Sequence, residues 1–198
     1  ENIIGRSEAF ISLIFPKIKE LFHEQFENVT AHDFYLAVNK AEPSLIRTEA
    51  DELTYSMHIM VRYEIEKRLM DGSLSTKDLP NEWNRLYKEY LGIDVPCDSM
   101  GCLQDSHWSG GALGYFPSYS LGSAYGAQFL HKMKQDIDID KLVSENRIDD
   151  VTAWLTEKIH KYGMLLTPAQ LIENACGEEF NADYYIEYLC LLCTSDAA

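Results

Sequence analysis

Apolar residues recur at spacings of three and four positions along most of the chain, and glycine or proline separates one such segment from the next. This spacing is the period of an α-helix with one buried face, and glycine and proline are typical of helix ends, so the pattern predicts about eight packed helices. The longest predicted helix covers residues 45–70, and others begin near residues 78–80, 118 and 149. No long linker, internal repeat or low-complexity segment interrupts the series.

The pattern changes between residues 101 and 119, which read GCLQDSHWSGGALGYFPSY. Residues 103–108 and 113–116 are two short segments on either side of Ser109, Gly110 and Gly111, and this arrangement predicts a β-hairpin, the only β structure expected. Buried His, Tyr and Gln side chains need a hydrogen-bond partner or a ligand. The segment is therefore the best candidate for a functional site.

Composition and charge narrow the functional classes. The 198 residues are 46% hydrophobic, enough for a sizeable core, and the net charge of −15 argues against nucleic acid or an anionic membrane as partner. Five cysteines without paired CxxC spacing favour free thiols, neither a disulfide framework nor a structural zinc site. No apolar run is long enough for a membrane span and no export signal is recognisable, so a cytoplasmic protein is expected.

Polar residues form a stripe in the longest predicted helix. Successive spacings of four, four, three and four place them on one helical face: Arg47, Asp51, Tyr55, His58 and Arg62. One interpretation is an interhelical hydrogen-bond network or a solvated face. The other is a helix that lines a cleft, with an arginine near its start that binds an anionic group through two parallel hydrogen bonds.

Two motifs carry a resemblance to a known family. Residues 46–51, IRTEAD, fit the pattern IRxxAD, and residues 101–108, GCLQDSHW, fit GxxQDxHW at every fixed position. Both patterns, in this order, are typical of the carboxypeptidase Taq family of zinc metallocarboxypeptidases, which the chain resembles over residues 1–189. The resemblance implies a mainly α, multi-helix, groove-shaped metallopeptidase fold, related in shape to angiotensin-converting enzyme and neurolysin, with the small β-hairpin near the active site.

The same resemblance implies the activity and its cofactor. The expected reaction is release of C-terminal amino acids from peptides with a free C-terminus, through attack of zinc-activated water, in a homodimeric enzyme. The family's zinc ligands lie in an HExxH motif and a following glutamate, which the resemblance places upstream of Glu1, with cobalt as an alternative metal. This chain would then be the C-terminal portion of the enzyme, inactive alone. Its own His23-Glu24-Gln25-Phe26-Glu27 lacks the second histidine, so no metal ligand is predicted within it.

The resemblance also implies roles for individual residues. Arg47 of IRxxAD would bind the terminal carboxylate of the substrate and Asp51 would orient Arg47; a plain ion pair between these two side chains is the alternative. His107 of GxxQDxHW would donate a hydrogen bond to the substrate backbone or the oxyanion, and Gln104 or Asp105 would fix the conformation that aims it.

The resemblance further implies that a tyrosine of the following segment stabilises the tetrahedral intermediate, a role that suits a phenol because it is a neutral hydrogen-bond donor. Tyr115 is favoured over Tyr119 for this role.

Both ends of the chain bear on these predictions. Glu1 is not an initiator methionine, and residues 190–198, CLLCTSDAA, abandon the charged helix expected there, so we expect a segment of a longer protein with a non-native tail. A second hypothesis of another class stays open: a helical protein-interaction module without chemistry, in which the polar segment 101–119 binds a protein.

Overall fold

Helices make up the regular structure. The computed structural model describes the backbone of residues 2–195 and the side chains of residues 2–192. Its helices are α1 (Asn2–Gly5), α2 (Glu8–Leu21), α3 (His23–Phe26), α4 (Ala31–Val38), α5 (Tyr55–Met70), α6 (Leu79–Leu91), α7 (Pro117–Asp136), α8 (Ile139–Ser144), α9 (Ile148–Lys158), α10 (Pro168–Cys176) and α11 (Asp183–Ser195). Short 3-10 turns cover Arg47–Glu49, Asp98–Met100 and His160–Tyr162. The predicted mainly α class is confirmed.

The chain divides into two compact units, and the first contains the residues up to Lys40 together with those from Ala124 onward. Within it α2 packs against α4 and α8, and α8 packs against α9. Its core is centred on Met133, Ile139, Val143, Val151 and Trp154, each less than 9% exposed. None of the predicted site residues lies in this unit.

The second unit, Ala41–Ser123, contains every predicted site residue. Helices α5 and α6 pack together, and the core between them includes Val61, Ile65, Trp83, Leu86 and Tyr87, all 3% exposed or less. Gly92 caps α6 with a left-handed φ of 74°, a conformation that glycine takes at low cost. The core supports the segment that contains the site.

The prediction of one helix over residues 45–70 is wrong. Arg47–Glu49 is a 3-10 turn, Ala50 is extended with φ −65° and ψ 144°, and α5 begins only at Tyr55. The Asp51 side chain accounts for the break: its Oδ1 accepts hydrogen bonds from the backbone N–H groups of Leu53 and Thr54, both at 2.9 Å. An aspartate that satisfies these donors competes with helix formation upstream of itself and favours a helix start downstream.

The predicted β-hairpin is also wrong, since no strand occurs in residues 2–195. The backbone after Ser106 makes local turn bonds: Gly110 N–H donates to Ser106 at 2.9 Å and Ala112 N–H donates to His107 at 2.8 Å. Gly111 and Gly114 take left-handed φ values of 78° and 76°. A β-hairpin needs backbone N–H groups that donate to the neighbouring strand, and here these N–H groups donate to carbonyl oxygens of the same loop.

Two further features concern the membrane and the tail. No helix of the described residues is both long and apolar enough to cross a membrane. Helix α11 extends to Ser195, past the start of the predicted non-native tail, and residues 196–198 of that tail lie outside the described part of the chain.

Candidate active site

Asp105 lies between two buried arginines. Its Oδ1 accepts hydrogen bonds from Nε and Nη2 of Arg47 at 3.1 and 2.7 Å. Its Oδ2 accepts a hydrogen bond from Nε of Arg62 at 2.7 Å and lies 2.5 Å from Nη2 of the same residue. The three side chains are 11%, 7% and 0% exposed, in the order Asp105, Arg47 and Arg62. Two cations therefore share one anion in a largely dry environment.

The charges of this group favour its ionised form. Burial raises the pKa of Asp105, but hydrogen bonds and charge from Arg47 and Arg62 outweigh burial and hold that pKa below the ordinary 3.8. Burial lowers the pKa of Arg47, and the bonds with Asp105 more than offset it, so the pKa of Arg47 is raised. All three groups are charged at neutral pH, and the trio retains one unit of positive charge.

Gln104 completes the polar contacts beside this trio. Its side-chain carbonyl accepts from the backbone N–H of Arg47 and from Nη2 of Arg62, both at 2.9 Å. Its amide nitrogen donates to the carbonyl oxygen of Leu45 at 3.0 Å. Gln104 and Asp105 thus join the 3-10 turn of Arg47 to α5, across more than 40 positions of sequence.

Arg47 also faces aromatic rings. Its Cζ lies 4.9 Å from the ring centre of Tyr119 and 5.6 Å from that of Phe116, and its Nη1 donates to the hydroxyl of Tyr55 at 3.1 Å. Of its five N–H groups, one on Nη1 and one on Nη2 have no partner among the described residues. The planar fork of Arg47 is fixed, and two of its donors remain available.

His107, Tyr115 and Tyr119 form one aromatic cluster beside Arg47. Nε2 of His107 lies 3.0 Å from the hydroxyl of Tyr119. The ring of Tyr115 stacks on that of His107, with centres 6.0 Å apart and planes at 25°. Nδ1 of His107 is buried without a partner among the described residues, and its distance of 3.9 Å from Oδ1 of Asp105 is too long for a hydrogen bond. Tyr115 is 52% exposed, the most accessible of the three.

Asp51, by contrast, is turned away from Arg47. Besides its bonds to Leu53 and Thr54, its Oδ2 accepts from the hydroxyl of Thr54 at 2.7 Å and from the N–H of Glu42 at 3.1 Å. The structure places Asp105, not Asp51, on the Arg47 guanidinium. The role of Asp51 in the structure is to begin α5.

Sequence reasoning missed two contributions from α5. Arg62 belongs to the predicted polar stripe but receives no role in the sequence analysis, and in the structure it binds Asp105 and Gln104. Glu66, 4% exposed, accepts hydrogen bonds from Trp108 and Gly114 and was not singled out at all. The available signal was spacing: His58, Arg62 and Glu66 are four positions apart and share the helical face that enters the core.

The described residues do not offer a metal site. No group of three or more His, Cys, Asp or Glu side chains in that part of the chain could hold a metal ion. His23, Glu24 and Glu27 are exposed around the short α3. The described residues therefore supply no complete set of metal ligands of their own.

Comparisons with known proteins agree with these motifs and with the helical fold. The chain is 46% identical over 190 residues to carboxypeptidase 1 of Bacillus subtilis, and this alignment covers 96% of this chain and 38% of that protein. An M32 carboxypeptidase structure from Deinococcus radiodurans is similar with a TM-score of 0.94 at 35% identity, over 100% of this chain and 40% of that one. Metallocarboxypeptidase 1 of Trypanosoma cruzi is similar with a TM-score of 0.90 at 38% identity, over 96% and 40%.

These relatives are much longer than this chain, which spans about 38% of the length of the curated protein it matches. The match to a family model is nevertheless continuous, because residues 1–191 fit the model of the carboxypeptidase Taq (M32) metallopeptidases. The chain therefore belongs to the carboxypeptidase Taq (M32) metallopeptidase family.

Proposed function

We propose that this chain is the substrate-recognising part of a zinc metallocarboxypeptidase that releases C-terminal amino acids from peptides. One observation supports this most directly. The guanidinium of Arg47 lies 4.9 Å from the ring of Tyr119, whose hydroxyl is 3.0 Å from His107, on which Tyr115 stacks. A group suited to a carboxylate and groups suited to a peptide carbonyl thus adjoin each other, as an exopeptidase requires.

Arg47 is assigned to the terminal carboxylate of the substrate. Its two remaining N–H donors and the net positive charge of the trio Arg47, Arg62 and Asp105 attract an anion. In a site with little solvent this attraction is stronger than at the surface. Without Arg62, the pair of Arg47 and Asp105 would be neutral, so Arg62 maintains the charge that a carboxylate needs.

Tyr115 is assigned to the oxyanion of the tetrahedral intermediate. Its hydroxyl makes no hydrogen bond within the described part of the chain and is free to donate, whereas the hydroxyl of Tyr119 is engaged with His107. A neutral phenol already in place stabilises developing negative charge at little reorganisation cost. His107 and Tyr119 are assigned to contacts with the substrate backbone beside it.

The metal is proposed to be held by residues outside these 198 positions, because those described here offer no ligand set. Zinc is the metal implied by the resemblance, with cobalt as an alternative. The residues of this chain bind the substrate's end, fix its register and supply donors to the carbonyl that is cleaved.

The test compares peptides that differ only at the C-terminus, a free acid and its amide, with the full-length protein that contains this chain. The wild type should cleave the acid far better than the amide. Arg47→Lys keeps the charge and removes the planar fork, so we expect kcat/KM for the acid to fall by a factor on the order of 10 to 100, with little change for the amide. Arg85→Lys is the matched control, because the Arg85 side chain is 55% exposed on α6, where it pairs with Glu82 and Glu89 of the same helix.

Three outcomes would contradict the proposal. An R47K enzyme that keeps the full preference for the free acid would remove Arg47 from carboxylate binding. A loss equal for acid and amide would assign Arg47 to structure alone. A full-length protein without peptidase activity, with or without added zinc or cobalt, would favour the alternative of a helical interaction module.

The homodimer, the cytoplasmic location, and the exclusion of nucleic acid and membrane as partners stay predictions. Light scattering on the full-length protein measures the first, and a mass of one subunit at micromolar concentration would contradict it.

A further inference from the structure

Glu66 carries a buried carboxylate that the proposed chemistry does not use. It lies on α5 one turn after Arg62, is 4% exposed, and is packed on the core side of the helix. Its Oε1 accepts two hydrogen bonds, from Nε1 of Trp108 at 2.9 Å and from the backbone N–H of Gly114 at 3.1 Å. A buried carboxylate is costly unless such donors satisfy it, so these two bonds determine what Glu66 contributes.

The two donors stand at the two ends of one loop. Trp108 follows His107 directly and Gly114 precedes Tyr115 directly, so Glu66 joins the positions next to two assigned site residues. Within the part of the chain that the structure describes, the local backbone hydrogen bonds of the loop end at Ala112. Among the described residues, the bond to Glu66 is the only hydrogen bond that Gly114 makes.

We propose that Glu66 is a positioning residue that sets the distance between His107 and Tyr115, a proposal that rests on the proposed carboxypeptidase function. By holding both ends of the loop on a single oxygen, it keeps the ring of Tyr115 stacked on His107 at 6.0 Å. Gly114 has a left-handed φ of 76° and little intrinsic preference for one conformation. Without the acceptor, the Tyr115 hydroxyl would sample positions away from the oxyanion.

The acceptor oxygen, not the charge, carries this role. Oε1 receives both bonds, and Oε2 has no hydrogen-bond partner among the described residues. A glutamine can place its carbonyl oxygen at the Oε1 position and its amide at the position of Oε2. Glu66→Gln should therefore keep the loop in place, whereas Glu66→Met, similar in length, has no acceptor for either donor.

The experiment measures kcat and KM of the full-length enzyme with a free-acid peptide. Misplacement of a reacting group by about 1 Å costs a factor on the order of 100 in rate, so E66M should lower kcat by a factor between about 10 and 100 with KM nearly unchanged. E66Q should stay within about twofold of the wild type, since it restores the acceptor. Glu64→Met is the matched control, because Glu64 lies on the outer side of the same helix beside Lys67.

A double variant distinguishes an effect of Glu66 on the position of Tyr115 from a general disruption of the active site. If Glu66 acts through Tyr115, E66M combined with Tyr115→Phe should be no slower than Y115F alone. Should E66M unfold the enzyme, Trp108→Phe removes one of the two donors and should lower kcat by a smaller factor.

The failures are distinguishable. Full activity of E66M, equal losses in E66Q and E66M, or multiplied losses in the double variant would each overturn the positioning role. Full activity of Y115F would overturn the route through Tyr115 but leave the carboxypeptidase function standing, whereas an inactive wild type would overturn both.

Discussion

Removal of the negative charge of Asp105 should destabilise the second unit strongly. In Asp105→Asn, the side-chain NH2 group replaces one carboxylate oxygen and faces the N–H donors of an arginine, to which it cannot bond. The guanidinium groups of Arg47 and Arg62 also lose the one anion that lies between them. Those two side chains are 7% and 0% exposed, so water cannot replace the carboxylate. Breaking a buried ion pair by removing one partner costs about 3–5 kcal/mol in the free energy of unfolding.

Urea denaturation of the full-length protein measures this cost. Amide hydrogen exchange of α5 and α6, measured by mass spectrometry across the urea series, reports on the second unit. With a slope of about 1–3 kcal/mol per molar urea, a loss of about 3–5 kcal/mol should lower the midpoint of this transition by about 1–5 M.

The pH dependence gives a second measure of the same interaction. Because the pKa of folded Asp105 lies below 3.8, its stabilisation is complete above that pH and is lost as the pH falls through the folded value. The difference between wild type and D105N should therefore be constant near neutrality and shrink below pH 3.8.

An exposed aspartate provides the control for D105N. Asp94→Asn removes an ion pair with Lys88 in which the aspartate is 85% exposed, and the midpoint should not change measurably. A midpoint of D105N equal to that of D94N would refute the claim that the buried charges depend on Asp105.

Two further predictions concern the supporting core. His58 is fully buried, and burial followed by the charge of Arg62 lowers its pKa from 6.5 to about 4. The free energy of unfolding should thus fall by about 3 kcal/mol as the pH drops from 6.5 to about 4. His58→Gln should abolish this loss, whereas His160→Gln, at an exposed site, should leave it in place. An unchanged pH profile in H58Q would contradict this. Gly101→Ala places a Cβ 2.8 Å from Cγ1 of Val95 and should lower the free energy of unfolding by about 1–3 kcal/mol. Gly122→Ala has open space around its Cβ in α7 and should raise that free energy by about 0.5–1 kcal/mol. Urea denaturation measures both, and equal midpoints of the two variants would refute the packing argument.

The sequence by itself determined the helical class and the segments that form the site. The three- and four-residue spacing is a property of each helix alone, and Gly92 ends α6 because a glycine takes a left-handed φ at low cost. The IRxxAD and GxxQDxHW motifs identified Arg47 and the segment around His107, which do lie together in one unit.

Only the tertiary structure decided which groups meet. Arg47 pairs with Asp105, 58 positions away, and not with Asp51, four positions away, because Asp51 uses its carboxylate to start α5. Local pattern also suggested a hairpin in residues 103–116, where the loop is instead held from outside by Glu66, 48 positions before Gly114. Helix periodicity and caps depend on neighbours in sequence, whereas a buried ion needs whichever counterion the packing of the core brings within reach.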